Sequence, residues 1–326
     1  MGRVVLVTGV AGSFAARFSR QLAAVGEDLG ISRVVGIDLR PPEGELGGVK
    51  FVRADIRTPV IGKVMAVEDV DTVVHLDVAP DSSRAGNSKE RNVIGTMQLL
   101  AACQRSGIVT KLVLASSAAV YGSSPRDPAM FTESLTARGG TRSGFPKDIV
   151  EVESYVRGFS RRRPDVLITT IRAAQVLHPA IETPLRDFFQ NPMLPAAIGY
   201  DPRLQFCHVD DAVAVLTEAV TRDRPGTFNL AGDGVILLSQ AARRLGRPLI
   251  PLPSLGFASA AARVTRVMGG NISPDLHRLL TYGRAVDTTA LRDIFGFEPQ
   301  HTTEEVFEEY REAVRPGVLS VIGARA

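Results

Sequence analysis

The chain has 326 residues, 44% hydrophobic and 22% charged, a balance ordinary for one large globular domain or two intimate ones. A formal net charge of +3, without clustered Lys/Arg and aromatic partners, excludes a nucleic-acid footprint, and the densest basic run, Arg161-Arg162-Arg163, reads as a solvated helix end before Pro164. Two isolated cysteines, Cys103 and Cys207, exclude a disulfide framework and a zinc site and fit a reducing cytoplasm. The first strand starts almost at Met1, which leaves no room for a signal peptide, and no apolar run is long enough to span a bilayer. The expectation is a cytoplasmic protein with neither a membrane nor a nucleic acid as partner.

Six short, near-continuously apolar runs read as strands buried on both faces: "VVLVTG" (4–9), "VVGID" (34–38), "KFVRAD" (50–55), "TVVHLD" (72–77), "KLVLASS" (111–117) and "VLITTIR" (166–172). Helical stretches over 13–27, 59–67, 86–107 and 145–160 alternate with them. This alternation predicts an α/β fold, a doubly wound parallel sheet of Rossmann type. After Arg172, prolines at 179, 184, 192, 195 and 202 break the chain into short pieces. Two further strands are expected within "LQFCHVDD" (204–211) and "GTFNLAG" (226–232), with a helix at about 211–222 between them. The rest is expected to be mainly helical. The domain reading is a dinucleotide-binding domain over 1–172, completed by about 204–232. A smaller substrate-binding region over 173–326 is interleaved with it.

The turn "TGVAGSFA" (8–15) follows the first strand and opens the first helix. Gly9 and Gly12 let a backbone approach a pyrophosphate, and the helix start at Ser13 and Phe14 stabilises its charge; Ala15 stands where a third glycine could be. Asp38 ends the second strand, with Leu39 after it. A carboxylate there accepts from a ribose diol and repels a 2′-phosphate, which favours NAD; Arg40 nearby could accommodate that phosphate, so NADP is the lesser alternative. The other reading of Asp38 is that it starts a loop. Asp55, followed by Ile56, is a candidate acceptor for an adenine amino group. Leu76, Asp77 and Val78 would run beneath the diphosphate and ribose. His75, within an apolar strand, reads as a satisfied core histidine.

These residues carry a resemblance to the extended short-chain dehydrogenase/reductases, the NAD-dependent epimerase/dehydratase family. "TGVAGSFA" resembles its TGxxGxxG and "VVHLDVAP" its VxHLAA. "NVIGT" (92–96), "ASSAAVYG" (115–122), "FCHVDDAV" (206–213) and "VDTTALRDIFGFEP" (286–299) match further family segments in order. The resemblance implies NAD as cofactor and a homodimer built from the helices at 86–107 and 145–160. It implies Ser117 as the hydroxyl that hydrogen-bonds the reacting oxygen and Lys147 as the ligand of the nicotinamide ribose. The tyrosine that the family places four residues before that lysine is Ser143 in this chain. A phenol beside an ammonium serves as acid or base near neutrality, whereas a serine hydroxyl is a far weaker acid and reaches less far. Ser143 and Lys147 could hold a water in its place.

At the substrate end, Gln175 replaces the family's asparagine and His178 a glycine. His178 is either an acid/base near the cleft or a half-buried loop histidine. Arg284 either contacts a substrate anion or forms a structural ion pair. Asp77, where the family has alanine, is either a polar group close to the nicotinamide or an exposed strand-end carboxylate. The functional expectation is an NAD-dependent oxidoreductase or epimerase acting on a hydroxyl or carbonyl of a small molecule, such as a nucleotide sugar. The alternatives are a non-redox isomerase, cyclase or lyase on the same fold, and a non-catalytic NAD sensor.

Overall fold

The structure, a computed structural model, describes residues 2–78, 80, 89–135, 144–253, 259, 261–263 and 272–317. The chain forms two compact units. One comprises Met1–Ser117, Lys147–Arg172 and Ala212–Phe228; the other comprises Ala118–Pro146, Ala173–Asp211 and Asn229–Ala326.

The first unit is built on strands β1 (Arg3–Thr8), β2 (Ile31–Asp38), β3 (Lys50–Arg53), β4 (Thr72–His75), β5 (Lys111–Ser117) and β6 (Leu167–Ala173), with a seventh strand, Gly226–Leu230, at one edge. The spatial order is seventh strand–β6–β5–β4–β1–β2–β3, in a parallel sheet. Val4 through Thr8 and all of β4 are buried, as continuous apolar strands covered on both faces must be. The helices are α1 (Ser13–Ala24), α2 (Val60–Val67), α3 (Gly95–Arg105) and α4 (Phe145–Arg162), together with most of the helix Val209–Thr221 that the sequence placed at about 211–222. In α1, Ala15, Phe18, Ser19 and Leu22 recur at three- and four-residue spacing and form its buried face. Ile149, Val152, Val156 and Phe159 do the same in α4. Each large apolar side chain buried this way stabilises the fold by about 1.5–3 kcal/mol.

The order reverses between β1 and β4, where an open α/β sheet leaves a crevice at its strands' C-terminal ends. Register makes those ends level: Thr8 pairs with Ile37 on one side and His75 on the other.

Among its described residues the second unit holds three small strand pairs. Gln175–Val176 runs parallel to Phe206–Cys207, Leu194–Ala197 parallel to Leu249–Leu252, and Arg203–Leu204 antiparallel to Ile236–Leu237. Helices Pro184–Gln190, Leu238–Arg244, Pro274–Tyr282 and Thr303–Ala313 pack around a core centred on Phe189, Phe206, Phe307 and Tyr310. The last helix starts at a capping box, Thr302 with Glu305.

Two expectations are revised. The strand expected over 204–211 splits into two short pieces around Gln205, whose buried amide bonds Gly232 O and the Val286 backbone instead of a ladder partner. Of the stretch 204–232, Ala212–Phe228 falls in the first unit, and Gly226–Leu230 is the strand it adds to the seven-stranded sheet. Arg163 is not a solvated charge: its guanidinium donates to Cys103 O, Ser106 O and Val109 O at 2.9–3.2 Å, closing the C-terminal end of α3.

Candidate active site

The turn after β1 needs a glycine. Gly9 has φ of +79°, and a Cβ there would lie 3.0 Å from Cα and Cβ of Asp77. Its N–H donates to Ile37 O at 2.9 Å. Gly12 caps α1 without any side-chain acceptor, and no acidic residue occupies the first helical turn. Gly12 and Ser13 are exposed and Phe14 is half-buried. The first N–H groups of α1 are therefore disposed for an anion, with the helix dipole favouring negative charge.

Asp38 closes the turn from the other side. Its Oδ2 accepts from Ala11 N and its Oδ1 from Arg40 N, both at 3.0 Å. Each oxygen keeps a further lone pair for a ligand hydroxyl. Leu39 beside it is exposed. Asp55 is held by its own neighbour: Arg57 Nε lies 3.0 Å from Oδ1 and Nη2 2.8 Å from Oδ2, and these bonds hold the carboxyl below its usual range. Ile56 is buried against Gly95 at the start of α3.

Asp77 lies just beyond β4, and its side chain is 20% exposed. Arg91 Nε approaches its Oδ1 at 3.5 Å, outside hydrogen-bond range. Burial pushes this carboxyl up to about 7, against the pull of Arg91 and with the push of Asp38 and Asp55. It is not an exposed strand-end carboxylate. Leu76 is half-buried and Val78 buried alongside it.

A hydrogen-bonded chain pins the strand ends. Thr8 Oγ1 accepts from Leu76 N at 3.0 Å and Asp77 N at 3.1 Å, so its own proton goes to His75 Nδ1, 2.8 Å away. On the other side of the ring, Thr96 Oγ1 donates to Asn92 O and therefore accepts from His75 Nε2–H at 2.8 Å. His75 is thus neutral, protonated on Nε2, and burial lowers its pKa to about 3. It is the satisfied core histidine that its apolar strand suggested.

Ser117 closes β5, half-buried, and Lys147 sits in the first turn of α4, with Nζ 3.8 Å from Glu151 Oε1. Ser143 lies outside the described residues. Tyr121, the phenol nearest Ser117 in sequence, is committed elsewhere: it is buried, stacks on Phe131 and donates to Asn229 Oδ1 at 2.7 Å. A buried cluster unforeseen from sequence stands behind the serine pair. Ser116 Oγ donates to Glu153 Oε1 at 2.6 Å, and Arg172 binds Glu153 through both oxygens. A glutamate within the buried stripe of α4 was its only sequence signal.

In the second unit, Gln175 and Arg284 line one small cavity, with Gln205 and Ala118. Its volume is about 10 Å³, room for a single water. Arg284 is fixed by Nη2 to Asp275 Oδ1 at 2.9 Å and Nε to Gly122 O at 2.8 Å, while its buried Nη1 has no hydrogen-bond partner among the described residues. A structural ion pair and an unsatisfied buried donor thus coexist in one side chain. Gly283 makes this possible: at φ of +74° it packs on Arg203, where a Cβ would meet Arg203 O at 2.6 Å. His178 is not among the residues lining this cavity; its Nδ1 accepts from Ala180 N at 3.1 Å, a turn-forming contact.

Among the described residues no cluster of His, Cys, Asp or Glu could hold a metal ion, and no helix is long and apolar enough to cross a membrane. Cys103 and Cys207 are buried, free thiols.

The NAD dependent epimerase/dehydratase family matches the chain over residues 5–231. An uncharacterized protein of Mycobacterium tuberculosis is 41% identical over 315 residues, covering 94% of this chain and 83% of that one. Among solved structures, the fold is similar to a dTDP-glucose 4,6-dehydratase from Bacillus anthracis in complex with NAD (TM-score 0.71, 17% identity, 95% and 96% of the two chains). It is also similar to a UDP-glucose 4-epimerase with UDP-glucose from Thermotoga maritima (TM-score 0.72, 18% identity, 95% and 97%).

Proposed function

The chain belongs to the NAD dependent epimerase/dehydratase family, and from that premise we propose that it is an NAD-dependent enzyme acting on a hydroxyl or carbonyl of a nucleotide sugar or related small molecule. The observation that carries this reading is the crevice between β1 and β4: an open helix N-terminus, a glycine turn without room for a side chain, and a carboxylate locked beside it. When bound, the dinucleotide supplies the hydride acceptor. The chain's own residues do the rest. Backbone N–H groups at Ser13 and Phe14 offset the diphosphate charge. Asp38 accepts from the ribose diol with the lone pairs that Ala11 and Arg40 leave open, which selects NAD over NADP. Lys147 contributes an ammonium to the nicotinamide ribose, and Ser117 donates to the reacting oxygen.

Gln175 and the unsatisfied Nη1 of Arg284 are candidates for the substrate's polar groups. The test is calorimetry with NAD, followed by UDP- and dTDP-sugars with labelled nicotinamide. Tight NAD binding with label exchange is expected, and loss of exchange in Ser117→Ala. NAD binding without exchange on any sugar, alcohol or ketone would overturn the redox reading.

A serine at position 143 favours one second reading, a non-redox isomerase or lyase on this fold. It predicts substrate turnover with no net absorbance change at 340 nm and no transfer of label. His178 would be the acid/base of that chemistry, and an unaltered rate in His178→Ala would remove it.

The homodimer implied by the family has a basis in α3 and α4. Ile94, Met97 and Tyr155 are exposed apolar side chains on or beside these helices. Light scattering should give twice the chain mass, and Met97→Glu with Tyr155→Glu should return it to one.

A further inference from the structure

We propose that Asp77 couples dinucleotide binding to the uptake of one proton. The inference rests on the dinucleotide reading of the β1–β4 crevice and concerns what happens there on binding. Asp77 stands at the point where the sheet order reverses, and its Cα and Cβ are the surface on which Gly9 packs. The side chain can neither retreat beneath the turn nor move away with its backbone, because its N–H is tied to Thr8 Oγ1. Whatever anion occupies the start of α1 shares that corner with this carboxyl.

The surrounding charges differ in how firmly they are neutralised. Asp55, beyond β3, is paired bidentately with Arg57. Asp38, at the end of β2, accepts two backbone N–H groups. Arg40, two residues further on, Arg57, already paired with Asp55, and Arg91, in the π-helical segment Glu90–Ile94 before α3, are the cations acting on Asp77; among the described residues only Arg91 comes within 4 Å, and its Nε forms no hydrogen bond. Asp77 is therefore the least compensated of three carboxyls on one edge. Burial already raises its pKa to about 7. A diphosphate brought to the same edge adds negative charge, and like charges disfavour ionisation. Protonated, the carboxyl becomes a donor to a phosphate or ribose oxygen; ionised, it only repels. The balanced process is dinucleotide plus ionised Asp77 plus one solvent proton giving the complex with neutral Asp77. His75, the titratable group beside it in sequence, is already neutral at these pH values and contributes no proton.

The experiment is calorimetric titration with NAD from pH 6 to 9, in two buffers of different ionisation heat. For the native chain, Kd should be level below about pH 7 and then rise toward about tenfold per pH unit, with one proton taken from the buffer per dinucleotide at pH 8. Asp77→Asn should bind with the low-pH affinity throughout and take up none. Arg91→Gln, which leaves Asp77 in place but removes its cation, should shift the onset of the rise to higher pH. A level profile in the native chain, or an unchanged slope in Asp77→Asn, overturns the coupling while leaving the cofactor reading intact. Absence of NAD binding at every pH overturns both.

Discussion

Arg172 and Glu153 meet through two parallel hydrogen bonds, Nε to Oε1 at 2.9 Å and Nη2 to Oε2 at 2.6 Å, with side chains only 6% and 4% exposed. The pair ties β6 to α4, and Ser116 at the end of β5 donates to the same carboxylate. Removing Arg172 leaves the buried Glu153 carboxylate with only Ser116 and the more exposed Arg157, 3.6 Å away. Arg172→Met should therefore cost about 3–5 kcal/mol in urea unfolding. The double variant Arg172→Met/Glu153→Leu should recover much of that loss. A double variant no better than the single would show that the pair is worth more than its desolvation cost.

Gly9→Ala combines a left-handed backbone with a contact on Asp77. The conformational strain alone is about 1–3 kcal/mol. Thermal unfolding should fall accordingly, and NAD affinity should drop at least tenfold because the turn must open to accept the methyl. Unchanged affinity would mean that the glycine turn is not where the dinucleotide lies.

His75 and Asp77 give stability opposing pH dependences. His75 titrates near 3 when folded and near 6.5 when unfolded, so its contribution is lost as pH falls through that window. Asp77 titrates near 7 when folded and near 3.8 when unfolded; its contribution is complete below 3.8 and lost as pH rises toward 7. Between 3.8 and 6.5 the two slopes offset each other. In Asp77→Asn, stability should climb with pH across that interval relative to the native chain, by up to about 1.4 kcal/mol per pH unit. Parallel native and variant profiles would show that Asp77 titrates normally.

The sheet of the first unit was readable because each strand is a short, unbroken apolar run, and β5 is found at its expected limits, 111–117. The glycine turn and the strand-end acids were readable for the same reason, since strand ends locate loops. Other features were hidden by their chemistry. Pro195 and Pro251 argue against a strand, yet each lies within a strand pair of only four residues per strand. Gln205 resembles any polar loop residue until its amide is seen to replace a ladder. The Arg172–Glu153 pair joins residues on different elements, which no local pattern reports. The oddity of Asp77 could be seen in sequence, but its burial needed the third dimension.

The first unit is assembled from three separated stretches of chain, the last ending at Phe228. This has a consequence for biosynthesis. As the polypeptide leaves the ribosome, β1 through β6 emerge with an unpaired edge on β6, and the strand that covers it, Gly226–Leu230, arrives only after the whole of 174–225. The nascent sheet must wait, edge open, while a middle stretch of the other unit, Ala173–Asp211, is translated. An exposed parallel edge invites pairing with another chain. Slow decoding or arrest anywhere within 174–225 therefore prolongs the interval in which this protein is most prone to aggregate.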